Sequence, residues 1–397
     1  MNMFWKNYSS TIILLACLLA GGVCGACCPA AAHFVKPFGD VFFNLLFVVV
    51  VPLIFFSVST AFRRMQSGGN IGRVLVRISL SFITLWLVCG LSGYLSALVI
   101  DPLGDFTGYQ ASDVRAGGRP WGDALVSALS VSDFTLLFSK NSLLPLIIFS
   151  AIIGIGVSVC GDKGKAFGNF LESGNAVITG ATGIVMKLAP IGLGCYFAGT
   201  LADTGNGLLE GYLRVFLIFC ALTVIIVIFV FPAIIWLTRG KGGVKGWWRA
   251  ILPPSLTAIA TQSSSVAIPG NIKAAVQMGI DSSVAETTIP LGTNLLKAGS
   301  TMCSVLKFFF LVSLCNIPAT GIGLAVSAIG VAILSSIVIG AVAGGGITGD
   351  LLVCSLLGVP PEMVGIIVVI GTIVDMPATL VNSQATVVAA SIVDRKR

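Results

Sequence analysis

The sequence predicts an all-α membrane protein, and three observations lead to this fold class. Of the 397 residues, 56% are hydrophobic and only 10% are charged, and the mean hydropathy is +1.01. A soluble domain keeps roughly a quarter of its residues charged, so this chain cannot cover a water-facing surface. Several apolar runs reach the ~20 residues that cross a bilayer. These runs are continuous rather than alternating, which indicates helices rather than the strands of a barrel.

The formal net charge of +7 does not indicate a nucleic-acid partner, because the basic residues form short clusters between the apolar runs. Such clusters are typical of the cytoplasmic loops of membrane proteins. The eleven cysteines are scattered through apolar segments and are interpreted as small packing residues. The one cluster, Cys24 to Cys28, is better explained by close helix packing than by a metal or redox role. No cofactor and no metal site is predicted.

Six full-length spans are predicted in the first two-thirds of the chain. They are Thr11–Ala32, Phe38–Phe62, Val74–Ile100, Leu143–Val159, Ala181–Leu201 and Tyr212–Leu237. The first is interpreted as a transmembrane helix and not as a secretory signal, because its apolar stretch exceeds a typical signal core. The longest polar stretch, Asp101 to Asp133, has no assigned role.

The basic residues lie mostly on one side of this arrangement. They are Arg63, Arg64, Arg73, Arg77, Lys163, Lys165, Arg239, Lys241, Lys245, Arg249, Arg395, Lys396 and Arg397. The opposite loops carry acids, among them Asp101, Asp203 and Glu210, although Arg115 and Arg119 are exceptions. Because basic loops face the cytoplasm, both termini are predicted to be cytoplasmic in a multi-pass protein of the cell inner membrane.

The last third differs, because small polar runs interrupt its apolar stretches. One run is Thr261 to Ser265, followed by Pro269, and the other is Ala343 to Asp350. Fuller spans follow each run, at Thr288–Leu314 and Val364–Val393. Non-helical backbone at membrane depth is tolerated only where it is buried or faces a cavity, and paired broken segments indicate a transporter's binding site. Free N–H groups at helix N-termini in such tips suit a substrate carboxylate.

At these residues the chain resembles the glutamate-transporter homologues, the dicarboxylate/amino acid:cation symporter family. The resemblance covers nearly the whole chain and is strongest from Leu252 to Val393. Its motifs are Thr261 to Pro269 (first hairpin tip), Ile289 to Thr293 (entry to the seventh helix), Asp375 to Asn382 (eighth helix), Val51 to Ser57 and Ala189 to Gly192.

The resemblance implies eight transmembrane helices plus two re-entrant helical hairpins, in an inverted-repeat elevator fold that assembles as a homotrimer. It implies a scaffold in residues 1–72, the third helix and an extracellular loop in 73–140, and scaffold and peripheral helices in 141–238. The transport core, with hairpin 1, helix 7, hairpin 2 and helix 8, is expected in 250–397.

The substrate site follows from the same resemblance. Asp375 lies where the family binds the substrate amine, and Asn382 and Ser263, Ser264 and Ser265 lie where it binds the carboxylate. Thr379 adds a polar contact, and the second hairpin, from Val342 to Gly346, is expected to close over the substrate. An intramembrane carboxylate such as Asp375 is costly and usually functional, whatever the family; the alternative is a structural pair between helices.

The substrate predicted from these positions is a neutral amino acid. Family members selective for acidic substrates carry an arginine in the eighth helix, and the matching residue here is Ala378. Without a guanidinium group, an acidic side chain lacks its partner. The alternative is a sodium-coupled symporter of dicarboxylates or acidic amino acids.

The family's cation sites are degenerate in this chain, at positions Asn294, Leu296, Ala298 and Thr386. The seventh-helix motif Asn-Met-Asp-Gly is replaced by Leu296, Lys297, Ala298 and Gly299, and Thr386 replaces an eighth-helix aspartate. Sodium is a hard cation that prefers oxygen ligands, which leucine and alanine do not offer. The sequence therefore favours a proton, or no coupling ion, over sodium.

Two further charged residues are candidates for charge compensation. Lys297 is expected to stand in for the lost cation, balancing Asp375 or Asp350, or else to extend toward the membrane interface, as Lys307 is expected to do. Asp350 is equally well explained as an N-cap in the second hairpin.

Two other classes of protein are weighed against a transporter. An intramembrane serine hydrolase would use a pair such as Ser264 with Lys297, and a channel would pass solute through an open pore. The chain contains no P-loop motif for ATP-driven transport.

Overall fold

The structure is a computed structural model that describes most of the chain. The described residues are 2–66, 72–103, 130–139, 142–204, 207–315, 317, 322–341, 346–357, 359 and 363–395. Within these ranges the chain is almost entirely helical and forms no β-strand, which confirms the all-α fold class. Residues 104–129 of the polar stretch without an assigned role, the basic residues Lys396 and Arg397, and the tip residue Val342 lie outside them.

We number the α-helices of the described ranges in chain order. They are α1 Asn2–Cys27, α2 Pro29–Gln66, α3 Gly72–Val99, α4 Phe134–Leu137, α5 Leu143–Val159, α6 Lys165–Met186, α7 Ala189–Thr204, α8 Gly207–Ile225, α9 Phe231–Ala250, α10 Leu252–Thr261, α11 Ile268–Gln277, α12 Ser282–Leu295, α13 Ala298–Leu314, α14 Ile322–Ala341, α15 Gly346–Leu357, α16 Val364–Ile373 and α17 Asp375–Val393. A 3₁₀ turn, Gly161–Gly164, precedes α6, and a π-helical segment, Ile226–Val230, joins α8 to α9. Gly240, with φ of 66°, kinks α9.

Five helical stretches of the described chain are long and apolar enough to cross a membrane. They are Pro29–Thr60, Val76–Val99, Leu208–Ala250, Ser282–Leu314 and Asp375–Val393. A sixth is added if the bent pair Gly161–Met186 and Ala189–Asp203 counts as one span. These stretches support a membrane protein, and the count of eight spans stays a prediction.

Two predicted spans run across helix breaks that the structure places inside them. The span Thr11–Ala32 crosses the break at Cys28, and Ala181–Leu201 crosses a 56° bend between α6 and α7. Pro29 begins α2 and Pro190 lies in the first turn of α7. Proline lacks the N–H that would continue a preceding helix but is tolerated in a first turn. Those two predicted boundaries were therefore wrong.

The helices of the N-terminal half that pack together surround α2. This long helix contacts α5, α6 and α7, and α1 packs along α7. The ion pair Lys36–Asp203, with Nζ and Oδ2 2.6 Å apart, joins α2 to α7 near their ends. A hydrogen bond from the Ser59 hydroxyl to the Ser150 carbonyl, 2.9 Å long, joins α2 to α5.

The C-terminal half packs around α13 and α17. Helices α3, α12 and α14 lie against α13 or α17, and both arms of the first hairpin, α10 and α11, contact α17, as does α9. Almost every residue of α13 is buried, as is α17 from Ala378 onward. A helix that is buried all round belongs to the interior of a bundle. The division into scaffold and transport domains stays a prediction.

The beginning of α12 is fixed by an N-cap. The Asp281 carboxylate accepts hydrogen bonds from the Ser283 backbone N–H, at 2.9 Å, and from the Ser283 hydroxyl. These hydrogen bonds lower the pKa of Asp281 below its usual value, because they favour the ionised carboxylate. An anion at a helix N-terminus is also favoured by the helix dipole. The cap therefore fixes the point at which the chain enters the core after hairpin 1.

Candidate functional site

Three interruptions of helical structure surround the predicted substrate site. The first is the turn between α10 and α11, where Gln262 takes a left-handed conformation with φ of 48°. The second is the break between α12 and α13 at Leu296 and Lys297, whose ψ angles are 91° and 63°. The third is Val374, between α16 and α17. The first interruption confirms the predicted polar break, whereas the other two divide spans that the sequence predicts as continuous.

Lys297 lies at the second break and reaches the tip of the first hairpin. Its ammonium donates a hydrogen bond to the Ser264 hydroxyl, with 3.1 Å between Nζ and Oγ. Its backbone carbonyl accepts hydrogen bonds from the Thr301 backbone N–H, at 2.8 Å, and from the hydroxyls of Thr301 and Ser336. The Thr301 and Ser336 hydroxyls are themselves 2.6 Å apart. These contacts fix a positive charge between hairpin 1 and the start of α13.

Asn382 caps α13 from the neighbouring helix. Its side-chain oxygen accepts from the backbone N–H groups of Gly299, at 2.8 Å, and Ser300, at 3.3 Å, and its amide donates to the Ser300 hydroxyl at 3.2 Å. A helix N-terminus leaves its first N–H groups without intrahelical partners, and a side chain from elsewhere in the fold can supply them. Asn382, predicted to contact the substrate carboxylate, is thus already engaged with α13 in this structure.

Gly299 permits the close approach of α13 to α17. A methyl group at this position would lie 2.5 Å from the Ala378 carbonyl oxygen and 3.0 Å from the Val381 Cβ. The first of these atoms belongs to the backbone and cannot rotate away. The Asn382 cap therefore depends on a glycine one residue into the helix.

Replacing Gly299 with alanine is expected to destabilise the protein by about 1–3 kcal/mol, because the added methyl overpacks a backbone contact. The matched control is Gly330→Ala in α14, where an added methyl meets no atom within 4 Å. That control is expected to be neutral or stabilising by up to about 1 kcal/mol, because alanine favours helix. Thermal unfolding of the two purified variants makes the comparison, and equal melting temperatures would contradict the close approach.

Asp375 and Thr379 lie in the first turn and a half of α17. Thr379 is buried, whereas Asp375 as a residue keeps exposed surface, and its carboxylate interacts electrostatically with Lys307 and Lys297. Within the described ranges Asp375 makes no hydrogen bond and no ion pair within 4.0 Å. Asp375 is therefore an acid without a direct side-chain partner that interacts electrostatically with two buried or half-buried ammonium groups.

Lys307 and Asp350 form a buried ion pair, which corrects two expectations. The Lys307 ammonium donates to both carboxylate oxygens, at 2.6 and 2.8 Å, and the side chains are only 5% and 2% exposed. Lys307 therefore does not extend to an interface. Asp350 is the fifth residue of α15 and not its N-cap, and its partner is Lys307 rather than Lys297. The pair joins α13 to the second hairpin.

The remaining predicted positions vary in exposure. Ser263 is half-buried and Ser265 is exposed at the hairpin tip, and Gly346 is exposed at the start of α15. Of the degenerate cation positions, Leu296 and Ala298 are fully buried, and the Thr386 hydroxyl donates to the Ser383 carbonyl at 2.8 Å. Asn294 is exposed and donates to the Pro290 carbonyl of its own helix. No group of three metal-ligating side chains occurs in the described ranges.

The sequence did not predict three residues whose side chains make contacts around the candidate site. Lys307 was assigned to an interface, and Ser300 and Ser336 were not singled out. A lysine within an apolar span is a signal for an interior partner, since an unpaired charge there is costly. The serines carry no such signal, because a lone hydroxyl in a helix is commonly satisfied by its own backbone.

Broken helices that meet a polar hairpin tip inside an apolar bundle are typical of secondary membrane transporters. A family model described as the sodium:dicarboxylate symporter family matches residues 11–396. The protein therefore belongs to that family.

Several bacterial proteins are similar to the chain. It is 28% identical to the C4-dicarboxylate transport protein of Rhizobium etli, over 78% of this chain and 70% of the relative. It is 26% identical to C4-dicarboxylate transport protein 2 of Mesorhizobium japonicum, over 77% and 70%. It is also 26% identical to the C4-dicarboxylate transport protein of Brucella anthropi, over 79% and 72%.

Family membership decides between the classes that the sequence left open. The protein is a secondary transporter and not an enzyme. Ser264 and Lys297, the pair considered for a hydrolase, are in contact, with the lysine ammonium donating to the serine hydroxyl. Their part in substrate binding stays a prediction.

Proposed function

We propose that the protein carries a small dicarboxylate, of the C4 class, across the membrane. The single observation that carries this proposal is the Lys297 ammonium, which is held between the hairpin tip at Ser264 and the start of α13. A fixed cation in a low-dielectric interior attracts a carboxylate far more strongly than the same charge in water. Serine hydroxyls beside it supply further hydrogen-bond donors to a carboxylate.

The names of the relatives support the same substrate, and they favour it over the neutral amino acid that Ala378 predicted. That expectation assumed that the second carboxylate of the substrate needs a cation on the helix that carries Ala378, which is α17. Lys297 offers a positive charge from the break between α12 and α13 instead. The alanine at position 378 therefore does not by itself exclude an acidic substrate. Of the alternative that the sequence left open, a sodium-coupled symporter of dicarboxylates or acidic amino acids, the dicarboxylate substrate is therefore the better-supported part.

A zwitterionic amino acid remains the second candidate, because of Asp375. This carboxylate has no ion-pair partner within 4.0 Å in the described ranges, and it lies at the position where the resemblance places a substrate amine. An ammonium group would neutralise it, whereas a dicarboxylate would be repelled by it. Removing the charge of Asp375 is therefore expected to lower the uptake of an amino acid and to maintain or raise the uptake of a dicarboxylate.

Uptake into proteoliposomes distinguishes the two substrates. We expect labelled succinate to be taken up in a saturable manner and to be displaced by other C4 dicarboxylates but not by alanine or serine. In the Asp375→Asn variant, succinate uptake is expected to be retained or raised, because a repulsive charge is removed. If the substrate is an amino acid, the same variant loses at least about tenfold in uptake, because a charged hydrogen-bonding partner is lost.

The matched control is Asp203→Asn, which removes a carboxylate from the exposed pair with Lys36. Its uptake is expected to equal that of the unmodified protein. Amino-acid uptake that is lost only in Asp375→Asn would replace the dicarboxylate proposal. Absence of uptake for both substrate classes, with the variants folded, would refute both.

We further propose that uptake proceeds without a sodium gradient, with a proton or exchange in its place. The support is that Ala298 and Thr386 supply no carboxylate for sodium and that Lys297 supplies a fixed positive charge. Uptake measured with sodium on one side, on both sides and on neither side is expected to be equal. A requirement for a sodium gradient would contradict this proposal without affecting the choice of substrate.

The assembly and movement proposed for the chain come from the family resemblance. They are a homotrimer in the inner membrane with both termini cytoplasmic, and an elevator movement in which the region around α13 and α17 carries the site across. Native mass spectrometry tests the trimer, with a monomer as the contradicting result. The movement is tested with the variants Lys273→Cys and Gly346→Cys, each labelled with a thiol reagent from either side of the membrane. An elevator movement predicts that substrate changes the side from which the reagent reaches these cysteines.

A further inference from the structure

Helix α9 turns back on itself at Gly240. This residue has φ of 66° and ψ of −166°, a backbone conformation that is essentially restricted to glycine. Beyond the turn, the Trp247 ring packs edge-on against the Phe231 ring, with 6.4 Å between the ring centroids. In a straight helix these two residues would lie about 24 Å apart. Residues 241–250 therefore form a short return helix that packs against the first part of α9.

The return helix buries one face and exposes the other. Trp247 is fully buried, and a methyl group at Gly243 would lie 2.5 Å from the Arg239 Cβ, so this face lies directly against the first part of α9. The opposite face carries three exposed basic residues, Lys241, Lys245 and Arg249. Residues four apart lie on the same side of a helix, so the three charges form one row. We call this row the basic face.

No acidic side chain balances the basic face. None of its three residues forms an ion pair within 4.0 Å in the part of the chain that the structure describes. The sequence contains no acidic residue from Gly211 to Gly279. The exposed basic residues Lys163 and Lys165, by contrast, directly follow Asp162. The basic face therefore presents unbalanced positive charge to its surroundings.

Large apolar side chains are exposed on both sides of the basic face. Trp236 and Leu237, just before the turn, are 53% and 64% exposed. Trp248 lies on the exposed side of the return helix, and Leu252 and Leu256 extend that side along α10. The side is continuous because helical hydrogen bonds run across the junction of α9 and α10. Tryptophan in a membrane protein favours the level of the lipid headgroups, so we place the basic face at the membrane surface.

We infer that the basic face binds the headgroups of anionic phospholipids, with Lys241, Lys245 and Arg249 contacting the lipid phosphates. Clusters of lysine and arginine beside a membrane span attract anionic lipids. The exposed tryptophan and leucines fit the acyl chains of the same lipids, which an acidic protein partner would not supply. Because the return helix leads into α10, bound lipid holds the first arm of hairpin 1 at the membrane surface. The inference is independent of the proposed substrate and its driving ion.

Thermal unfolding without substrate tests the basic face. The full-length protein is purified in detergent, and its melting temperature is measured as phosphatidylglycerol or phosphatidylcholine is added. Phosphatidylglycerol is expected to raise the melting temperature by at least about 3 °C more than phosphatidylcholine, as a ligand bound only by the folded state does. High salt is expected to remove most of this difference, because it screens exposed charges. Inorganic phosphate is expected to have no effect, since it offers no acyl chain.

The double variant Lys245→Gln with Arg249→Gln removes two charges from the basic face. The phosphatidylglycerol concentration for half-maximal stabilisation is expected to rise by at least about tenfold, since each basic residue near an anionic surface strengthens the attraction about fivefold. The matched control is Lys163→Gln with Lys165→Gln, which removes the same charge from exposed positions elsewhere. Its response to phosphatidylglycerol is expected to equal that of the unmodified protein. All four side chains are exposed, so both variants are expected to fold.

Three results would overturn the inference. The first is equal stabilisation of the unmodified protein by phosphatidylglycerol and phosphatidylcholine, which would show no preference for an anionic headgroup. The second is an equal loss of the response in the two double variants, which would mean that net charge attracts the lipid and not the basic face. The third is stabilisation by inorganic phosphate that matches phosphatidylglycerol, which would indicate a site for a free anion. Because no substrate is present, these results do not bear on the uptake experiments.

Discussion

Replacing Lys297 with methionine is expected to reduce dicarboxylate uptake by at least about 30-fold, since truncating one partner of a buried charged contact costs roughly 2–5 kcal/mol. Methionine keeps the length of the stem and removes the ammonium. The Ser264 hydroxyl then loses its donor, and a substrate carboxylate meets an interior without a cation. The same variant is expected to change the pH dependence of uptake, if the ammonium exchanges a proton during transport.

The protein is expected to fold when Lys297 is replaced. The break at Leu296 and Lys297 is held by the Lys297 backbone carbonyl, which accepts from Thr301 and Ser336, and these contacts do not involve the side chain. A lost uptake with an unchanged melting temperature therefore identifies a binding role. The matched control is Lys273→Met on α11, which removes an exposed ammonium from the same hairpin region. Its uptake is expected to be normal.

Uptake and pH dependence that are unchanged in Lys297→Met would refute the role of Lys297 in both binding and charge compensation. A lysine that merely extends to the membrane interface predicts that result. Lys297→Arg adds a further distinction, because a guanidinium keeps the charge but not the shape. Partial uptake in Lys297→Arg, above that of Lys297→Met, is the outcome expected from an electrostatic role.

The residues of the candidate site could be singled out in the sequence where a charged side chain is costly in a membrane. Asp375, Lys297 and Asp350 stand out because charges are rare in apolar spans, and the Ser-rich run marks a break in helical structure. Their partners could not be predicted in the same way. Lys307 and Asp350 are 43 residues apart, and only the packing of α13 against the second hairpin brings them together.

The helix breaks at Lys297 and Val374 escaped prediction for a related reason. Each lies in a run whose composition suits one continuous span. The α13 break is maintained by Asn382, which caps the new N-terminus from 83 residues away, so the stabilising contact is tertiary. The tip after Thr261 carries its own local signals instead, a polar run followed by Pro269, and it was predicted. A break that is marked by neighbouring residue types can therefore be predicted from the sequence. A break that is stabilised by a side chain of another helix cannot.

Breaking the Lys307–Asp350 pair is the second change with a large expected effect, in this case on the stability of the protein. Both side chains are at most 5% exposed, and Gly371 packs directly against the ammonium, where a methyl would lie 2.6 Å from Nζ. Water therefore has little access to either charge. Removing one member leaves the other without compensation in a low-dielectric interior.

Replacing Asp350 with asparagine is expected to destabilise the protein by about 3–5 kcal/mol, which is the usual cost of breaking a buried ion pair. In thermal unfolding this corresponds to a melting temperature lower by roughly 5–10 °C. The matched control is Asp203→Asn, whose pair with Lys36 is 41% and 34% exposed. An exposed pair contributes only about 0–1 kcal/mol, so the control is expected to melt nearly as the unmodified protein does.

The double variant Lys307→Met with Asp350→Leu decides what the pair is for. Two apolar side chains of similar volume need no compensation, and such replacements are often neutral or stabilising. We expect the double variant to recover most of the stability that Asp350→Asn loses.

If the double variant also transports normally, the pair serves only to join α13 to the second hairpin. If it is stable but transports poorly, the charges act on Asp375, with which Lys307 interacts electrostatically, and the pair belongs to the binding site. Equal melting temperatures for Asp350→Asn and Asp203→Asn would instead show that Lys307 and Asp350 are not paired in the folded protein.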